Sequence, residues 1–140
     1  MRVWLDDLRD PKSDPASTPF WRDAVWVKTP EAAIALLATG KVQALSLDND
    51  LGLPLDSGGR PREGYMVADW LEQHTFLSEG FTPPRVLNLH SANSVVRRKV
   101  EAAFGNIARW AQERDVRHPG QCSTCGSFVC ECPGPQERSL

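Results

Sequence analysis

Gln43-Ala44-Leu45-Ser46-Leu47-Asp48-Asn49-Asp50-Leu51-Gly52 opens as a short, mostly apolar run and ends in two acids one residue apart. A brief apolar run halted by polar and turn-forming residues reads as a buried β-strand. Three other stretches repeat the pattern. Residues 2–5 end at Asp6-Asp7, residues 24–27 lead into Thr29-Pro30, and residues 85–89 end at His90-Ser91. Helical patterns separate these strands. Thr29-Pro30-Glu31 supplies a capping side chain, a proline suited to the first turn and an acid suited to the helix dipole. Ala33, Ile34, Leu36 and Leu37 give that helix an apolar face, and Gly40 ends it. A second helix is expected over residues 64–77, with Val67, Trp70, Leu71, His74 and Leu77 on one face. The last is the clearest: Val96, Val100, Ala103, Phe104, Ile107, Trp110 and Ala111 recur at offsets of three and four.

Strand–helix alternation predicts an α/β fold, an open, mostly parallel four-stranded sheet flanked by helices. Pro11, Pro15 and Pro19 exclude a regular helix between the first two strands, which leaves an irregular loop over residues 8–23. Residues 53–63, with Ser57-Gly58-Gly59, are polar and turn-rich, so a second loop is expected there. No fifth strand is visible after the last helix. Residues 1–114 therefore read as one folded domain, and residues 115–140, rich in Pro, Gly, Ser and Cys, as a tail outside its core.

A chain of 140 residues is long enough for one domain with a sizeable core. Its apolar share of 41% and charged share of 24% are ordinary for a globular protein. The net charge of −2 argues neither for nor against a nucleic-acid partner, although the basic excess of a general grip on a phosphate backbone is not visible. The six basic and three acidic residues from Arg97 to Arg117 read as a solvated helix face. No run approaches the ~20 apolar residues of a membrane span. Asp6 and Asp7 interrupt the place where a signal peptide would need its apolar core, so a cytoplasmic protein is expected.

In open α/β sheets ligands bind beyond the carboxyl ends of the strands. Three of the four strands end there in reactive groups: Asp6 and Asp7, then Asp48 and Asp50, then His90 with Ser91 and Asn93. If these strands are neighbours, the groups share one pocket. Clustered carboxylates repel one another and raise their own pKa values, and a hard divalent cation, Mg²⁺ or Mn²⁺, relieves the repulsion. Such a cation would hold a phosphate oxygen and offset charge that develops during transfer. Acids after a strand also serve as turn or helix caps, but two acidic strand ends together favour ligation by Asp6, Asp7, Asp48 and Asp50. His90 reads as a general acid/base or a metal ligand. Ser91 and Asn93 precede the last helix, where capping and anion binding are compatible roles, and Arg97 lies one turn further in. His74, on an apolar helix face, and His118, in the tail, read as structural or solvated.

Trp4-Leu5-Asp6-Asp7-Leu8-Arg9, Ser46-Leu47-Asp48-Asn49-Asp50-Leu51-Gly52, Gly64-Tyr65, and His90-Ser91-Ala92-Asn93 with Arg97 arrive in this order over about residues 1–110. This set resembles the cyclic-phosphate processing receiver family, a variant of the response-regulator receiver fold inferred to act on cyclic phosphate ends of nucleic acids or nucleotides. The resemblance implies that Asp6, Asp7 and Asp48 occupy the receiver's metal and phosphate pocket, that His90 is a distinguishing family residue, and that Asn93 and Arg97 contact phosphate. One departure is plain. The family commonly carries His between the two acids, where Asn49 stands here. Signalling receivers also place a Lys at the end of a fifth strand, whereas this chain has only Lys12, Lys28, Lys41 and Lys99, which argues against a phosphorelay role.

The four cysteines, Cys122, Cys125, Cys130 and Cys132, lie within eleven residues of the tail in a C-x₂-C-x₄-C-x-C spacing. Four thiolates so close would suit one tetrahedral, structural Zn²⁺, and reactive thiols on a loose tail are the alternative.

These readings combine into one expectation. The chain is a metal-dependent phosphoesterase that opens a cyclic phosphate, with a 2′,3′-cyclic end of a nucleotide or RNA as the specific case. Asp48, His90 and Asp7 would be catalytic, and Ser91, Asn93 and Arg97 would cradle the phosphate. Attack by Asp48 itself and attack by a metal-activated water both fit the sequence. A non-enzymatic receiver-like module that senses a phosphorylated ligand or protein partner is the alternative.

Overall fold

The structure, a computed structural model, describes residues 1–15 and 17–117. In chain order its elements are β1 (Arg2–Leu5), a 3₁₀ turn (Pro19–Trp21), β2 (Val25–Val27), α1 (Pro30–Leu37), β3 (Ala44–Leu47), α2 (Gly64–Leu77), β4 (Val86–Leu89) and α3 (Ser94–Arg117). The four strands form one sheet in the order β2-β1-β3-β4, and every pairing is parallel. This is the receiver-like arrangement expected from the sequence. Among the described residues no helix stands between β1 and β2 and no fifth strand follows α3. No helix in that set is long and apolar enough to cross a membrane.

Local chemistry sets the element ends. Thr29 caps α1, its side-chain oxygen accepting the Ala32 N–H at 3.1 Å, and Pro30 fills the first turn. Asn93 does the same for α3, accepting from the N–H groups of Val95 and Val96. The start of α2 borrows its cap from another element: Asn49 Oδ1 accepts the Tyr65 N–H at 2.9 Å, and the Asn49 carbonyl accepts that of Gly64.

Alternation along the strands divides the core in two. Val3, Leu5, Leu45, Leu47 and Leu89 face the helices and pack with Ala33, Leu37, Val67, Leu71, Val100, Phe104 and Ile107. On the other face Trp4 and Ala44 pack against Trp21, with Ala24 and Trp26 at the margin. The Pro-rich loop thus delivers an indole to the face that an ordinary doubly wound sheet would cover with a helix. β3 is buried along its whole length, as an inner parallel strand covered on both faces should be. The strand order reverses between β1 and β3. Crevices of this kind are where α/β sheets bind ligands, beyond the carboxyl ends of the strands.

Candidate functional site

The register places Leu5, Leu47 and Leu89 side by side on β1, β3 and β4. One residue further on, the same row becomes Asp6, Asp48 and His90. The ladder continues into it: the Asp48 N–H donates to the Leu5 carbonyl and the His90 N–H to that of Leu47, each at 2.8 Å. Oxygens of Asp6, Asp7 and Asp48 lie within 4.8 Å of one another, with Asp6 and Asp48 buried and Asp7 half-buried.

Asp6 is saturated. Its Oδ1 accepts the backbone N–H groups of Leu8 and Arg9, both at 2.9 Å. Its Oδ2 accepts Arg9 Nε at 2.9 Å and lies 3.1 Å from His90 Nε2. Burial pushes its pKa up, but the two N–H groups, the Arg9 charge and His90 outweigh that and hold it below the usual value. Asp48 responds in the opposite sense. Burial and the Asp6 charge push its carboxyl up to about 6, and the Arg9 guanidinium opposes them only in part.

His90 lies behind this pair. Its ring stacks on Trp4, with centroids 3.9 Å apart and planes 8° from parallel. Nδ1 sits 2.7 Å from Ser46 Oγ, and Asn88 Nδ2 donates to that same hydroxyl at 2.9 Å. The ionised Asp6 carboxylate can only accept, so the imidazole proton sits on Nε2 facing it, and Nδ1 of the neutral ring accepts from the Ser46 hydroxyl. Burial, first of all, lowers the His90 pKa below its ordinary value, which keeps the ring neutral.

The remaining residues singled out in the sequence flank this centre. Asp50 stays outside the carboxylate cluster on an exposed turn, where its Oδ1 accepts from Asn49 Nδ2 at 3.2 Å and from Asn93 Nδ2 at 3.4 Å. Ser91 is buried and its Oγ accepts the Asn93 N–H, while Arg97 Nη2 donates to the Ser91 carbonyl at 2.8 Å. The turn into α3 is therefore tied internally, and its edge meets the acidic pocket through the Asn93–Asp50 contact. His74 packs against Trp70 and Phe81 on the helix-covered side. His118, Cys122, Cys125, Cys130 and Cys132 lie outside the described residues.

Arg9 is the functional-site residue that sequence reasoning passed over. Its Nε binds Asp6, its Nη2 lies 3.5 Å from Asp48 Oδ2, and Asp14 Oδ2 is 3.7 Å from Nε. A signal existed in the spacing, since Arg9 follows Asp6 by three residues in the quoted Trp4-to-Arg9 motif. Ser46 and Asn88, which hold His90, share a register position on adjacent strands.

A family model described as the cyclic-phosphate processing receiver domain matches residues 1–106. The chain belongs to this family. No curated protein and no solved structure matches it. In this cyclic-phosphate processing receiver domain Asn49, between Asp48 and Asp50, is turned inward to cap α2 and is only 1% exposed.

The donor set fits a hard divalent cation. Mg²⁺ is commonly held by one or two carboxylates with waters completing its octahedron. Asp7 and Asp48 supply such a pair, and the burial and Asp6 charge that raise the Asp48 pKa are penalties on its anion that a cation would offset.

Proposed function

We propose that this protein is a metal-dependent phosphoesterase that opens a cyclic phosphate, with a 2′,3′-cyclic end on a nucleotide or RNA as its substrate. The observation that carries the reading is the meeting of Asp6, Asp7 and Asp48 at the sheet's switch point, in a chain of the cyclic-phosphate processing receiver family. A small phosphoester fits a site at the carboxyl ends of the strands where Asp7 is half-buried and Arg9 exposed, and a cytoplasmic setting fits such a substrate.

Asp7 and Asp48 hold Mg²⁺ or Mn²⁺, and Asp50 orients Asn93 rather than ligating. The bound cation supplies Lewis-acid stabilisation of charge on a phosphoryl oxygen. The Asp48 pKa of about 6 belongs to the pocket without a cation, and a cation on this carboxylate would lower it and keep it ionised as a proton acceptor. In the hydrolysis, water adds its oxygen to phosphorus, one phosphorus–ribose oxygen bond breaks, and the released oxygen takes up a proton, leaving a monoester and a hydroxyl. Through the carboxylate oxygen that a cation would leave free, Asp48 takes the proton from the attacking water and passes it to the released ribose oxygen. Asn93 and Arg97, at the start of α3, give hydrogen bonds to the phosphate, and Ser91 holds their turn. His90 acts one step back. Both its nitrogens are engaged and it fixes Asp6, so its part is positioning rather than direct proton transfer.

The test is incubation with 2′,3′-cyclic nucleotides and Mg²⁺, with and without chelator, followed by chromatography. The expected result is a 2′- or 3′-monophosphate formed by the wild type, abolished by EDTA and by Asp48→Asn. Tight binding of the cyclic nucleotide without any product would instead support the sensor module.

A further inference from the structure

We propose that Arg9 is an exchangeable counter-ion. It occupies Asp48 in the cation-free pocket, yields that carboxylate to an entering divalent cation, and turns its freed guanidinium edge to the two non-bridging oxygens of a cyclic phosphodiester. This deepens the metal-dependent reading above and rests on it.

The guanidinium meets three carboxylates unequally, with Asp6 and the more distant Asp14 (3.7 Å) both on Nε and Asp48 alone on Nη2. Nε on Asp6 is a 2.9 Å hydrogen bond, whereas Nη2 on Asp48 is a 3.5 Å ion pair beyond good hydrogen-bond length. The short contact is an anchor and the one on Nη2 is the part that can let go. The backbone is pinned as well: the Arg9 N–H donates to Asp6 Oδ1, and the Arg9 carbonyl accepts Trp4 Nε1 at 3.0 Å. Movement is thereby confined to the outer side chain, which is 43% exposed.

Asp6 supplies the second argument. All four of its acceptor positions are taken by Leu8, Arg9 twice and His90, so an entering cation meets Asp7 and Asp48 as its open ligands. Arg9 Nη2 stands on one of these two. Cation and guanidinium cannot both neutralise Asp48 at close range, so the arrival of one displaces the other. A planar fork released beside a bound cation matches the paired oxygens of a phosphodiester better than a point charge does.

The test uses Mn²⁺ binding, read by electron paramagnetic resonance of the free ion, on the full chain with Arg9→Gln, Arg9→Lys and Asp48→Asn variants. If Arg9 occludes Asp48, Arg9→Gln binds Mn²⁺ about tenfold more tightly than the wild type, because the competent fraction of sites rises. With Mn²⁺ saturating, the same variant binds a slowly hydrolysed 2′,3′-cyclic phosphorothioate at least about tenfold more weakly, having lost a bidentate partner. Arg9→Lys, which keeps the charge and guards against a misfolded Gln variant, is expected to keep wild-type Mn²⁺ affinity and to lose the phosphorothioate. Unchanged or weaker Mn²⁺ binding by a folded Arg9→Gln protein overturns the exchange, as does full phosphorothioate affinity in Arg9→Lys. A wild type that takes up no Mn²⁺ at all overturns the metal-dependent reading itself.

Discussion

The imidazole of His90 lies flat on the indole of Trp4, with ring centroids 3.9 Å apart and planes 8° from parallel. The stack leaves the ring its edges alone, and both are used, Nδ1 toward Ser46 and Nε2 toward Asp6. A histidine fixed in this way sets the direction of a carboxylate. At pH 7 the nitrogen chemical shifts of His90 are therefore expected to report a neutral ring protonated on Nε2. A charged ring, or a proton on Nδ1, contradicts the arrangement. His90→Ala strands the Ser46 hydroxyl and removes a donor from Asp6, so it is expected to cost about 1–3 kcal/mol in urea unfolding.

Asp48 gives a pH dependence with a definite sign. Burial and Asp6 raise its folded pKa to about 6, above the ordinary carboxylate value of 3.8. The folded chain thus binds more protons than the unfolded chain between these values, and the stability Asp48 contributes is lost as pH rises through about 6. Asp48→Asn removes this dependence. In chelator, the variant and the wild type should differ little in this respect below pH 4. The variant should become the more stable by about 1–2 kcal/mol above pH 7, a figure reduced for solvent screening and for the lost Arg9 pair. A gap that does not widen with pH would show that Arg9 already neutralises Asp48.

Divalent cations should reverse that penalty in the wild type. Saturating Mg²⁺ at about a hundred times its dissociation constant adds about 2.7 kcal/mol, since it binds only the folded pocket. The rise in midpoint temperature is expected for the wild type, absent for Asp48→Asn, and reversed by EDTA. Equal shifts in both proteins would place the cation somewhere other than on Asp48.

The sequence exposed the sheet because each strand is a short apolar run that stops at a polar residue, and inner parallel strands have to be apolar on both faces. The meeting of Asp6 with Asp48 followed from two strand ends and the rule for open sheets. For Arg9 only the spacing from Asp6 was legible, and its meeting with Asp48 was not. An arginine in a proline-rich loop looks solvated, and only the fold of that loop brings it to Asp48, a residue far along the chain. Asp50 shows where strand alternation stops. Side chains two apart share a face only while the strand lasts, and β3 ends at Leu47, so Asp50 turns out toward Asn93. The saturation of His90 depended on Ser46 and Asn88, which alternation alone presents as ordinary strand residues.

Gly64 links the site to the packing of α2. A Cβ built on it would lie 2.9 Å from Asn49 Cα and closer still to the Asp48 carbonyl oxygen, both of them backbone atoms that cannot swing aside. The close approach has a purpose: it lets the Gly64 and Tyr65 N–H groups reach Asn49, so the start of α2 is capped by the residue that follows Asp48. Gly64→Ala must push helix and loop apart, at a cost of about 1–3 kcal/mol by the usual scale of overpacking. Because the displaced backbone carries Asp48, Mn²⁺ affinity should fall together with stability. Asn49→Ala separates the two effects. It removes the cap without adding an atom and is expected to cost about 1–2 kcal/mol while moving the Asp48 backbone less. Mn²⁺ titration and urea unfolding of both variants check this. A larger loss of Mn²⁺ affinity in Asn49→Ala than in Gly64→Ala would mean that the side-chain cap, and not the close backbone contact, positions Asp48.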